Sequence, residues 1–92
     1  MSEMTHMIIN FSNGRFVVEI KNPNMTVTAV RRVDHGDWKT QSVRKEFMGM
    51  EEGESGELVT VWDNFYGRWC RVKIGDRFTD ILPSDLSVTI KE

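Results

Sequence analysis

Cysteine is nearly absent: Cys70 stands alone in 92 residues. One thiol cannot close an intramolecular disulfide, and no Cys/His spacing matches a zinc site. Secreted domains of this size normally depend on several bridges, so the expected compartment is the cytoplasm. No apolar run approaches the roughly 18 residues of a membrane span, and no membrane association is expected. Met1 to Asn10 has neither the basic start nor the apolar centre of a signal peptide. An excess of one charge is also missing, since 12 Lys and Arg stand against 14 Asp and Glu, a formal net charge of −2. A protein held to nucleic acid by charge alone carries a basic excess. The balance argues against that class and leaves room for a local basic patch.

Catalytic and metal-binding signatures are missing as well. His6 and His35 are the only histidines. His35 sits among Asp34, Gly36 and Asp37 and reads as a solvated turn residue. Neighbours on one turn do not surround an ion without distant partners. Cys70 falls in an apolar row with Val72 and Ile74, where a buried, inert thiol is the default, and no base or thiolate-stabilising group accompanies it. Gly49, Gly53 and Gly56 lack the Lys-Ser/Thr ending of a phosphate loop, and the glutamates among them would repel phosphate. This stretch reads as a mobile, solvated acidic loop. With no paired acid/base motif and little chain to build a pocket, neither an enzyme nor a cofactor is expected.

What the chain does carry is alternation with a period of 2. Met7, Ile9 and Phe11 alternate, Ser12-Asn13-Gly14 supplies a turn, and Phe16, Val18 and Ile20 alternate beyond it, which predicts a hairpin. Asn22-Pro23-Asn24 interrupts. A third strand runs from Met25 through Val27, Thr28, Val30 and Val33, ending at the turn Asp34-His35-Gly36-Asp37. Trp38 to Phe47 fits a strand or a short helix. Thr40, Ser42 and Val43 favour the strand, while Val43, Phe47 and Met50 would share one side of a helix. Leu58 to Trp62 is a strand, Asp63 to Gly67 turns, and Arg68 to Ile74 returns. Gly75-Asp76 turns into a short strand around Phe78. Pro83-Ser84-Asp85 suggests one 3₁₀ turn, and Leu86, Val88 and Ile90 close. Six to seven short strands with no linker predict one all-β domain over residues 1–92, a small barrel or strongly rolled antiparallel sheet. Rolling the sheet protects its edges.

Three segments of the C-terminal part resemble an SH3-like barrel of the KOW or Tudor type. They are Gly56-Glu57-Leu58-Val59-Thr60-Val61, then Gly67-Arg68-Trp69-Cys70-Arg71-Val72-Lys73-Ile74, then Ile81-Leu82-Pro83-Ser84-Asp85-Leu86. The likeness covers residues 56–88 and gives the N-terminal hairpin no counterpart. It implies a binding module that contacts peptides, proteins or nucleic acid through loops and one aromatic-lined face.

The candidate contact residues cluster around one turn. Trp62, Phe65, Tyr66 and Trp69 fall together. If Cys70, Val72 and Ile74 face the core, then Trp69, Arg71 and Lys73 face water. Trp, Tyr and Arg dominate binding hot spots, and the same set suits base stacking with phosphate contacts. The predicted binding set is Phe65, Tyr66, Arg68, Trp69, Arg71 and Lys73, with Arg32 joining from the Arg31-Arg32 pair. Arg44-Lys45 is a second basic pair of the same kind. The competing structural reading has the N-terminal hairpin covering Trp69 as a second core layer. The leading functional expectation is a protein-interaction module: an adaptor, subunit or small inhibitor docking on a larger protein. Its size suits a stand-alone regulator of the kind phages and mobile elements encode. The alternative is a KOW-like nucleic-acid binder using the same face. A homo-oligomer is a further option wherever a strand edge or aromatic face lies uncovered.

Overall fold

Alternating apolar side chains build two antiparallel sheets, as the period of 2 predicts. The computed structural model describes residues 5–34 and 49–89. Strands β1 (His6–Phe11) and β2 (Gly14–Glu19) form a hairpin around Ser12-Asn13. The other five form one sheet: β3 (Met25–Ala29), β4 (Ser55–Asn64), β5 (Gly67–Ile74), β6 (Arg77–Ile81) and β7 (Leu86–Thr89). Their order is β6-β5-β4-β3-β7, and a 3₁₀ turn over Pro83–Asp85 precedes β7. The all-β antiparallel class is the one expected. No helix among the described residues is long and apolar enough to cross a membrane.

The hairpin lies on the inner face of the five-stranded sheet. Ile9, Phe11 and Val18 from the hairpin join Val27, Leu58, Val61, Cys70, Val72, Ile81 and Leu86 in one buried cluster. Each fully buried aliphatic side chain contributes roughly 1.5–3 kcal/mol, so these residues carry the stability of the fold. Phe16 closes the cluster edge-on to Phe11, with ring centroids 5.9 Å apart. The hairpin turn also covers the free edge of β7. The Ser12 N–H and hydroxyl donate to the Leu86 carbonyl at 2.9 and 2.7 Å. Asn13 bonds both backbone groups of Val88. Asp85 is buried, and Arg31 donates to it at 2.8 Å.

Three expectations need correction. The third strand ends at Ala29 rather than running through Val30 and Val33. Its neighbours end there: the Ala29 N–H reaches Glu54 and the Val30 N–H reaches Asp85, the residues just before β4 and β7. The glycine-rich stretch is not simply a solvated loop. Met50 is fully buried and exchanges two backbone bonds with Val33, at 2.8 and 2.9 Å. Gly49 packs so closely that a Cβ there would fall 1.6 Å from the Val33 carbonyl oxygen. Ser55 and Gly56 belong to β4, which runs on to Asn64, longer than the Leu58–Trp62 expected. The turn beyond Asp34, the Trp38–Phe47 segment, the Arg44-Lys45 pair and Ile90 lie outside the described residues.

Candidate binding face on the β4–β5 hairpin

Strand β5 alternates as predicted, with Cys70 and Val72 in the core and Trp69, Arg71 and Lys73 on the opposite face. The N-terminal hairpin packs on the Cys70 side, so it is not the cover for Trp69 that the structural reading supposed. Trp69 is half-buried, and Arg71 and Lys73 are exposed. Trp62 joins them through a β-bulge. The register jumps between Leu58, opposite Val72, and Thr60, opposite Arg71. The extra residue, Val59, resets the alternation of β4. Leu58 and Val61 both face inward although three apart, and Trp62 lands directly opposite Trp69 on the outer face. An unbroken period of 2 from Leu58 would have turned Trp62 inward. The odd spacing of Leu58 and Val61 was the available signal.

The register carries this face across β6. Arg71 stands opposite Asp80, and Lys73 stands between Glu57 and Phe78. The Arg71 guanidinium carbon lies 5.0 Å from the Trp62 ring centroid, within cation–π range. Arg71 also donates to both Asp80 oxygens, at 3.0 and 3.4 Å, and that hydrogen bond raises its pKa further. Among the described residues Lys73 makes no ion pair. Phe78, absent from the predicted set, is 52% exposed beside it. An open groove of about 850 Å³ runs past Lys73, Glu57 and Phe78 toward Met25, Lys21 and Phe16.

Arg68, in the predicted binding set, also has partners within the fold. It holds both oxygens of Asp63, at 2.7 and 3.0 Å, and donates to the Ile8 carbonyl at 2.6 Å. It therefore ties β1 to the β4–β5 hairpin. The hydrogen bond from Arg68 holds the Asp63 carboxyl below its usual range. Arg32 lies outside these three strands, bound to Glu51 and Asp34.

The tip is where the aromatic surface is freest. Phe65 is 97% exposed and Tyr66 84%, and their rings meet edge to face at 5.9 Å. Asn64 fixes this geometry. Its side-chain oxygen accepts the Tyr66 N–H at 2.8 Å and the Trp69 indole N–H at 3.1 Å, an Asx-type contact that Asn at a turn invites. In the sequence Asn64 stands out only as part of the Asp63 to Gly67 turn. Among the described residues no three His, Cys, Asp or Glu side chains gather as a metal site. Burial pushes the Cys70 thiol up to about 12, which leaves it protonated and without nucleophilic character at neutral pH. No protein-family model, no curated protein and no solved structure matches the chain.

Proposed function

We propose that the protein is a non-catalytic interaction module that docks on a larger protein through the tip and outer face of the β4–β5 hairpin. The observation that carries this reading is the near-complete exposure of Phe65 and Tyr66, held edge to face at the end of a fixed turn. Two large rings left in water give the fold no burial energy, whereas rigid aromatic groups bring large contact area to an interface at low entropic cost. Trp62, Trp69 and Phe78 extend the apolar surface behind them. The SH3-like reading is supported by the strand order and by the 3₁₀ turn between β6 and β7. A small cytoplasmic regulator or subunit fits this picture.

The charges favour a protein over a nucleic acid. Arg31, Arg32, Arg68, Arg71 and Arg77 each carry a carboxylate partner within the chain. Phosphate binding would have to displace those carboxylates, and the counterion release that drives it would be correspondingly small. The test is affinity capture from a nuclease-treated lysate with the tagged protein and its Phe65→Ser/Tyr66→Ser variant. The reading expects a defined protein, retained by the parent chain and lost with the variant. Retention that disappears on nuclease treatment would favour the nucleic-acid alternative. Retention equal in both chains would remove the hairpin from the site.

A further inference from the structure

The N-terminal hairpin has a second surface, unrelated to the aromatic tip. The Ile20 N–H donates to Thr5 at 2.9 Å, extending the β1–β2 ladder past the strand ends. This sets the phase of the ladder: Phe11/Gly14, Ile9/Phe16 and Met7/Val18 are its hydrogen-bonded pairs. The N–H and C=O groups of Arg15, Val17 and Glu19 therefore point away from β1. Among the described residues nothing bonds them. On the β1 edge Arg68 takes the Ile8 carbonyl, and β7 takes the turn. The β2 edge has neither the proline nor the bulge that blocks strand addition. Its two charged residues, Arg15 and Glu19, are opposite in sign.

The side chains of the same three residues share the outer face, in the order positive, apolar, negative. Val17 is 65% exposed, and its cross-strand neighbour Ile8 is 57% exposed. We propose that two copies pair antiparallel along β2, centred on Val17, to form a four-stranded sheet. In that register Arg15 of each copy faces Glu19 of the other, and Val17 faces Val17. The outward N–H and C=O groups then meet as hydrogen-bonded pairs. Ile8 and Val17 from both copies make one continuous apolar stripe, flanked by two cross-strand ion pairs. Reading the charge order backwards exchanges its signs, so an antiparallel copy is its own complement. A parallel copy in the same register would set like charges side by side. The interface is closed and two-fold.

Sedimentation velocity over a concentration series at low salt tests this, with melting curves as the check on folding. The parent chain is expected to dimerise. Arg15→Glu and Glu19→Arg, which each oppose like charges, should weaken the dimer at least tenfold, and the double variant Arg15→Glu/Glu19→Arg should restore it. In the parent chain the Arg15, Val17 and Glu19 amides should exchange slowly when concentrated and freely when dilute. This readout decides the matter even if a charge variant fails to fold. A parent chain monomeric at millimolar concentration, a dimer indifferent to both single swaps, or concentration-independent exchange at these amides would each overturn the proposal.

Discussion

Asn13 and Val88 exchange two hydrogen bonds: the Asn13 amide nitrogen donates to the Val88 carbonyl at 2.9 Å, and the Val88 N–H donates to the Asn13 oxygen at 3.0 Å. A side-chain amide here does what a neighbouring strand would do. It satisfies a sheet edge that would otherwise be left part-buried and unpaired. Asn13→Ala should cost about 1–3 kcal/mol, the usual range for a polar group left without its partner. Asn13→Asp keeps the acceptor but sets a carboxylate against the Val88 carbonyl, and should be no better. Urea unfolding midpoints measure both, and a midpoint equal to the parent's would show that the turn does not secure β7.

Gly56 lies where β4 passes close against β5. A Cβ added there would fall 2.6 Å from both the Lys73 carbonyl oxygen and a Val72 methyl. Because one of these is backbone, relief requires the strands to shift. Gly56→Ala should destabilise by roughly 1–3 kcal/mol through overpacking, read as a lower melting temperature. An unchanged melting temperature would contradict the close approach of the strands.

Cys70 gives the fold an alkaline limit. Its pKa rises from 9.0 to about 12 because burial penalises the thiolate. The unfolded chain thus releases this proton at lower pH than the folded one. The associated stability is whole below about pH 9 and is lost as pH rises toward 12. Subtracting the pH profile of Cys70→Ala from that of the parent should leave a decline over this window. At pH 8 the folded thiol should resist alkylation and the urea-unfolded thiol should react. Rapid labelling of the folded protein would contradict its burial.

Much of the architecture was legible because burial on one face forces alternation. Met7, Ile9 and Phe11 against Phe16, Val18 and Ile20 mark the hairpin, and Cys70 and Val72 orient β5 so that Trp69 and Arg71 face outward. What escaped depends on strand register and on which groups the pairing brings together. The bulge at Val59 broke the alternation that would have assigned Trp62. Met50, set among glycines and glutamates, is buried only because Val33 returns to pair with it. Arg68 and Arg32 read as contact residues, and the fold brings Asp63 and Ile8 to one and Glu51 to the other. Composition cannot distinguish a basic residue awaiting a ligand from one already engaged.

On the proposed function the aromatic tip is surplus to folding and reserved for a partner. Equilibrium unfolding of Phe65→Ser/Tyr66→Ser tests it most directly. The expected stability is within about 0.5 kcal/mol of the parent, as for surface substitutions that remove no packing, in a chain that no longer retains its partner. A loss of about 2 kcal/mol or more would mean that these rings hold the fold together and are not surplus to it.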